Sequence, residues 1–481
     1  MSSIETTRSL GLIPFNFHRL DTNNIVAASI SGDYIFLKQN ELCTLLKKPD
    51  ELSSKLKNQL EAKYFVAPEG RLKRSSLRLI QSRIISKKET VLGGVSLFIV
   101  VPTLQCEHTC QYCQVSRSLN DTNYSLSKKD VDKIAEAVFQ TSSNAITIEF
   151  QGGDPLLRFD LIRYAIDEID KKRSDSDKKI RFVITSTLHQ LTAEMCEYFR
   201  AKDVYLSTSI DGPAWLHNVN RPIPGKNSFE RTVEGIKLAR DLIGADRVSA
   251  LMTTTRKSLN YANEIVDEYI RLGFNEIFIR PLSLYGFANR NIKRLGYTVQ
   301  DFLDFYDQAF NRVLYWNRQG VELREATASL IFNKILSPFD AGYVDLQSPN
   351  GAGLATLVFN YDGFVYPSDE ARMLAETGDQ SLRLGEIGEH LSHYRNHDVV
   401  KSIVASSLSA ERDGCKQCAF NNYCGPDPVS EQAQNGFMGG NVLETDHCKR
   451  NKWFFDYFFK KLKNADPCDL DLAYQWAYPA S

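Results

Sequence analysis

The stretch LFIVVPTLQCEHTCQYC, residues 97–113, runs from an apolar segment directly into three closely spaced cysteines. Its first seven residues are β-branched or aromatic apart from Leu97 and Pro102, which predicts a buried strand. Cys106, Cys110 and Cys113 then share one loop, with Tyr112 just before the last of them. Three neighbouring thiolates suit a cubane iron–sulfur cluster whose fourth iron is open to an external ligand. Zinc is the competing reading, with His108 as a fourth ligand. Structural zinc, however, favours four protein ligands at paired Cys-x2-Cys or His spacings. A closed site here would also leave the functional end of the predicted sheet without chemistry.

Working outward, strand-like runs recur at 97–103, 145–150, 180–185, 204–210, 248–254 and 276–282, most of them followed by an amphipathic helical segment. Six such units predict an α/β fold with a parallel sheet and helical crossovers, whose functional groups gather at the carboxyl ends of the strands. Residues 1–90 read as an N-terminal α+β module: strands at 25–28 and 34–38, helices near 40–47 and 50–62, and a basic link over 71–88. Two further helices are expected within 298–336. From 337 to 481 the chain reads as loop-rich, with a hairpin at ATLVFNYDGFVYP turning at Asp362-Gly363.

Of the 481 residues, 58 are basic and 59 acidic, so no overall field draws the protein to nucleic acid or an anionic membrane. The first twenty residues lack the pattern of a secretory signal, and no apolar run approaches the length of a membrane span. A cytoplasmic protein is expected. Reduced thiols are the rule there, so ten cysteines point to metal or redox chemistry. Seven fall in two groups, Cys106/110/113 and Cys415/418/424/448, while Cys43, Cys196 and Cys468 are expected to be buried, inert thiols.

The first group, its position after the first strand and the preceding Tyr112 resemble the radical S-adenosylmethionine (SAM) superfamily. The resemblance implies a partial (β/α)6 barrel over 91–336, with SAM chelated to the open iron of a [4Fe-4S] cluster and Tyr112 against the adenine. Gly152-Gly153-Asp154-Pro155, after the second strand, matches the turn that contacts the methionine amino group in that family. Ser209-Ile210-Asp211-Gly212-Pro213, with His217 and Arg221, resembles a stretch of radical SAM peptide maturases in which the serine meets the SAM ribose and the arginine its carboxylate. Asn218 stands where that family has aspartate, and His217 is read as a packed residue ordering the loop. Leu282 would lie near the adenine.

Cys415-x2-Cys418-x5-Cys424, with Cys448 beyond, resembles the SPASM extension of such maturases, an iron–sulfur domain expected here over 337–481. The full pattern has seven cysteines for two auxiliary clusters. Here Ser368 and Pro428 replace two of them and a third is missing upstream of the hairpin. These absences belong to one auxiliary site, so the resemblance implies two [4Fe-4S] clusters in total, one for SAM and one auxiliary. Asp369 matches a carboxylate that acts as a base in sulfatase-maturating relatives; a turn carboxylate capping backbone N–H groups is the alternative.

The segments IPFNFHRL, GDYIFLKQNEL and VVPTLQCEHTCQYCQVSRS further resemble the His-Xaa-Ser system radical SAM maturases. That likeness implies side-chain modification of a ribosomally made precursor with His-Xaa-Ser repeats. It also implies a second radical SAM partner protein and an electron donor such as flavodoxin or ferredoxin, with no nucleic acid or membrane involved. The N-terminal module is a candidate for gripping the peptide as an added strand. A small-molecule substrate and a non-catalytic electron carrier are the alternative functions.

Overall fold

The computed structural model describes residues 9–478 apart from 115, 116, 119–123, 175 and 284. The first eight residues, read above for a signal segment, and Val115 and Ser116 of the family-like stretch lie outside the described residues. In the N-terminal part β1 (Leu10–Leu12) pairs with β5 (Val66–Pro68), and β2 (Phe15–Arg19), β3 (Asn24–Ser29) and β4 (Tyr34–Lys38) form an antiparallel meander. Helices Gln39–Lys47 and Ser54–Ala62 follow as expected. The basic link is itself helical over Arg74–Ser86; it buries only Ile80, which is why no apolar stripe announced it.

All six expected strands form, in order: β6 (Leu97–Thr103), β7 (Ala145–Gly152), β8 (Lys179–Thr185), β9 (Val204–Ser209), β10 (Val248–Thr253) and β11 (Glu276–Arg280). They continue into β12 (Arg324–Glu325), β13 (Thr356–Phe359), β14 (Phe364–Tyr366) and β15 (Gly385–Glu386), giving one sheet in the order β12-β11-β10-β9-β8-β7-β6-β13-β14-β15. Every pairing from β12 to β13 is parallel. This is the α/β architecture expected. The hairpin at Asp362-Gly363 also forms, but its first strand is fully buried and pairs with β6, so the sheet crosses residue 336 without interruption.

Alternation along the strands sorts the side chains. Ile146, Ile148 and Phe150 of β7 join the apolar core with residues of helices Lys128–Phe139 and Phe159–Arg173, while Thr147, Glu149 and Gln151 take the other, partly open face. Ser207 and Ser209 of β9, Thr185 of β8 and Arg280 of β11 share that alternation. The concave face is therefore polar. On β6 the pattern differs: Ile99 and Val101 pack against Val358, Tyr366, Leu374 and Val429 from the C-terminal part, which closes this side of the sheet.

Two sequence expectations need correction. The C-terminal part is not simply loop-rich: helices Asp398–Ser407, Pro428–Asn435, Asp446–Asn464 and Pro467–Ala477 occupy it. Asn451, Phe454, Phe455, Phe458, Phe459 and Leu462 are the buried stripe of the third, a helical period hidden among consecutive aromatics. Of the three lone cysteines only Cys196 is buried; Cys43 and Cys468 are exposed. Cys43 lies between the buried Leu42 and Leu45 on a nine-residue helix, where the turn angle carries it to the solvent side.

The N-terminal meander is bound to the C-terminal cysteine segment. Asn16 donates its side-chain amide to the carbonyls of Lys416 (3.0 Å) and Cys418 (3.2 Å), and Asn422 donates to Ser29 O (2.9 Å). Tyr423 Oη donates to Gly32 O (2.9 Å), and His18 pairs with Asp456 on the helix that carries Cys448.

Candidate active site

The cysteine loop leaves the carboxyl end of β6 and folds over the ends of its neighbours. Gly153 N donates to Thr103 O (2.9 Å) and Asp154 N to Gln105 O (2.6 Å), which draws the second-strand turn against the start of the loop. The glycines are needed for this approach: a Cβ on Gly152 would lie 2.2 Å from Thr103 O, and one on Gly153 2.2 Å from Gln105 O. Gly152 also has φ 143°, outside the ordinary range of other residues. Packing against the cysteine loop thus accounts for both, in addition to any approach of a ligand.

Asp154 is buried and already engaged. Its Oδ1 accepts from Ser186 Oγ (2.6 Å) and Leu156 N (3.2 Å), and its Oδ2 from Thr187 Oγ1. It caps the short 3-10 turn that Pro155 opens, and ties the β7 turn to the loop after β8. Burial pushes its carboxyl up while the Ser186 and Thr187 hydroxyls pull it back.

All three spacer residues between Cys106 and Cys110 are anchored. Glu107 pairs with Arg231 (3.1 Å), His108 meets His189, and Thr109 bonds to Pro222 O through both N and Oγ1 (2.8 Å each). Cys106 N donates to Ser118 O and Cys113 N to Cys110 O. Burial pushes the Cys106 and Cys110 thiols up, Cys110 to about 12, and the cysteines reinforce one another. Such thiols keep their protons until metal displaces them.

Beside them stands a buried triad. Tyr112 Oη donates to Asp211 Oδ2 (2.6 Å), Arg221 Nε donates to the same oxygen (3.3 Å), and the guanidinium lies 5.3 Å from the centre of the Tyr112 ring. Burial works against the Arg221 charge, but Asp211, Tyr112 and Cys110 outweigh it. A fixed cation next to the cysteines, bonded to its partner through Nε, suits an anionic ligand group. Asp211 was not singled out from the sequence, although its Asp-Gly-Pro turn was. His217 is fully buried: its Nδ1 accepts from Asp211 N (3.3 Å) and its ring packs edge-on to Phe229, as a loop-ordering histidine should. Asn218 accepts from Ser228 Oγ and Phe229 N (2.8 Å each), at the start of helix Ser228–Leu242.

Residues 100–267 match the sequence model of the radical SAM superfamily. These residues form a radical SAM domain. Among curated relatives, a cysteine-type anaerobic sulfatase-maturating enzyme of Clostridium perfringens is 23% identical over 387 residues, 77% of this chain and 98% of that protein. The radical SAM cyclopropyl synthase TigE of Paramaledivibacter caminithermalis is 20% identical over 270 residues, 50% of this chain and 54% of that one. Solved structures share the fold. One is anSMEcpe with bound AdoMet and the Kp18Cys peptide (TM-score 0.64, 16% identity, 79% of this chain and 99% of that one). Another is Streptococcus suis SuiB bound to its precursor peptide SuiA (TM-score 0.54, 13% identity, 91% and 100%).

A radical SAM domain binds SAM and a [4Fe-4S] cluster, and the residues here fit both. Three mutually influencing thiols share one loop, with the Arg221 cation beside Cys110. Among the described residues no three metal-binding side chains converge on a single ion. A cubane holds each thiolate on a different iron, so its ligands need not meet at one point. Ser209 ends β9 on the concave face.

Leu282 follows β11 and lines a cavity of about 600 Å³ between the radical SAM sheet and the C-terminal part. Four carboxylates also line it: Asp345, Glu370, Asp427 and Asp446. Asp345 and Glu370 are pushed up, first by burial and then by the neighbouring carboxylates. Glu149, on the concave face, accepts from Thr185 Oγ1 (2.8 Å); burial raises it, Asp369 adds to this and Arg280 opposes it. The sequence reading missed these groups; only Glu149 had a signal, the polar alternation along β7, whereas the C-terminal carboxylates had none.

Asp369 itself is tied down: Arg372, fully buried, donates Nε (2.9 Å) and Nη2 (2.8 Å) to its Oδ1. Among the described residues it caps no backbone N–H. Its neighbour Ser368 does so, accepting from Ala371 N (3.2 Å). Pro428 likewise opens a helix, behind the cap Asp427. The four retained cysteines, Cys415, Cys418, Cys424 and Cys448, line one cavity of about 380 Å³, with Cys448 in the first turn of its helix. Each of Cys415, Cys424 and Cys448 has its thiol raised, first by burial and then by others of the set. Four thiols around one space fit a fully ligated cluster.

Proposed function

We propose that this chain is a radical SAM maturase that modifies side chains of a ribosomally synthesised peptide or protein, and that the substrate enters the cavity walled by Leu282, Asp345, Glu370 and Asp427. The observation that carries this is the cavity itself: about 600 Å³, at the carboxyl end of β11, with Ser368 and Asp427, the caps of two helices, in its wall. Cavities of this size with convergent polar groups of shifted pKa are the usual places for substrate. The likeness to anSMEcpe with the Kp18Cys peptide and to SuiB with SuiA supports a polypeptide over a small metabolite.

SAM held on a cluster by Cys106, Cys110 and Cys113 would supply a 5′-deoxyadenosyl radical able to abstract a hydrogen atom. The remaining work falls to this chain's own side chains. Arg221 binds the carboxylate of SAM, Tyr112 offers its ring face, and Asp211 holds both in place. Gly152, Gly153, Asp154 and Pro155 set the turn that faces the amino group, and Ser209 is placed for the ribose. Glu370 reaches the cavity where Asp369 is held by Arg372, so Glu370 is the better placed of the two to hold or receive a proton. Cys415, Cys418, Cys424 and Cys448 hold a single auxiliary [4Fe-4S] cluster, for electron relay or bracing.

The likeness of IPFNFHRL, GDYIFLKQNEL and the cysteine segment favours a precursor with His-Xaa-Ser repeats, a second radical SAM partner, and flavodoxin or ferredoxin as electron donor. The test is anaerobic co-expression of the chain with such a precursor, followed by mass spectrometry and fragmentation of the peptide. A defined mass change or a stereochemical inversion that disappears in the Cys110→Ala variant is expected. An unmodified precursor, together with SAM cleavage that no polypeptide stimulates, would overturn the maturase reading.

A further inference from the structure

We infer that the cavity lined by Lys87, Lys88 and Lys334, between the N-terminal meander and the C-terminal part, binds an acidic stretch of the polypeptide substrate and anchors it beside the cavity that takes the modified residue. The choice of a substrate as ligand rests on the maturase reading; the site itself rests on the lysines.

This second cavity has a volume of about 470 Å³. Lys87 Nζ donates to Lys334 O (3.2 Å) and lies 5.2 Å from the centre of the Tyr423 ring, and Lys334 Nζ donates to Leu346 O. An ammonium has three donors, and a carbonyl engages only one of them. Lys88 has no side-chain hydrogen bond or ion pair among the described residues. The negative groups nearby are already committed. Asp340, the carboxylate in the wall, accepts from Thr90 N (2.9 Å), Gly342 N (2.9 Å) and Gln347 Nε2 (2.7 Å). Asp33 is held by Arg83 and by Ser31 Oγ (2.6 Å), and Lys416, the fourth lysine of the wall, pairs with Asp413 (2.6 Å). Burial lowers Lys87 and Lys334 to about 8, and Lys334 adds to the effect at Lys87. Cations crowded into one space are costly unless an anion joins them.

The wall is not basic throughout. Ile30, Ile84 and Phe339 line the same cavity and are exposed, so its mouth is apolar. A ligand that uses both parts carries carboxylates between aliphatic groups, as an acidic stretch of peptide does; inorganic phosphate would use the lysines alone. Position favours the substrate. Leu346 lines this cavity and also the one walled by Leu282 and Glu370, so the two share a wall. The latter has four carboxylates against Arg280 and Arg450, and opposite charges thus sort a polypeptide between the two spaces.

Calorimetric titration of the holoprotein with acetyl-Leu-Glu-Leu-Asp-Leu-amide, with the same peptide bearing Gln and Asn, and with succinate tests this. The acidic peptide should bind with a Kd that rises with salt. The uncharged peptide and succinate should bind at least about tenfold more weakly, the effect of losing a hydrogen bond to a charged group or the apolar contacts. Lys87→Met should weaken the acidic peptide by about the same factor. Lys88→Glu reverses a charge that the fold does not use, and should weaken it as much with iron content and melting temperature unchanged. Equal binding of the uncharged peptide, or wild-type affinity in both variants, would overturn the inference. So would equal binding of succinate, which makes the ligand a small anion. Loss of iron from both variants would make the lysines the counter-charge of the neighbouring Cys424 and its set, and would overturn it as well. If the acidic peptide binds as expected yet no polypeptide stimulates SAM cleavage, the failure lies in the maturase reading and not in the site.

Discussion

Single residues at this site do several jobs at once, and the sequence disclosed some of them better than others. The cysteines, Tyr112 and Arg221 were legible because a fixed spacing carries their chemistry. Asp211 and Glu370 were not, because only the fold shows which carboxylate is buried beside what. Glu370 gives the sharpest test at this scale. Its carboxyl is raised in the folded protein, so the fold favours the protonated form. That stability is fully present below the ordinary carboxylate range and is lost as pH rises through the raised value. Glu370→Gln should therefore melt with wild type at pH 4 and above it, by an amount on the order of a few °C, at pH 8.5. In product assays Glu370→Gln should reduce turnover more than Asp369→Asn; the reverse ranking would return the proton-handling role to Asp369. Gly153→Ala should cost about 1–3 kcal/mol in chemical denaturation, the usual penalty of overpacking. It should also lower iron occupancy with all three cysteines intact, because the new methyl would meet Gln105 O at 2.2 Å.

At the scale of elements, β6 to β11 could be placed within a residue or two because each is a short β-branched run and most are followed by an amphipathic helix. Elements that depend on partners escaped. Arg324–Glu325 became a strand only because β11 offers an edge, with Glu325 then capping the helix that follows. Likewise Thr356–Phe359 could be read as half of a hairpin, but its parallel pairing with β6 has no local signal. Ser368 and Pro428, where the SPASM resemblance leads one to expect cysteines, are good residues for opening helices. Ser368→Ala should cost about 1 kcal/mol through loss of the cap. Ser368→Cys, supplying one thiol of the three that are missing, should leave the iron content of the purified protein unchanged. A gain of further iron in that variant would show that the inner auxiliary site is still competent.

Across the whole molecule, the segment 415–424 borders both the space its cysteines enclose and the N-terminal meander that Asn16, Asn422 and Tyr423 bind to it. Removing two ligands should loosen both. In Cys415→Ala/Cys418→Ala, limited proteolysis is expected to cut within the first ninety residues at a protease concentration that spares the wild-type holoprotein, while the three-cysteine site keeps its iron. Equal resistance would mean that the meander docks without help from metal. The same attachment bears on how the chain is made. Gly32 and Tyr423 are 391 residues apart, so at about 5–20 residues per second the module emerges roughly 20–80 s before its seat exists. β2 and β4 stay the edges of their sheet in the finished fold, so what waits for the seat is the aromatic face, where Tyr34 and Phe36 meet Phe459. Until helix Asp446–Asn464 is made, those two rings lack the aromatic partner that covers them.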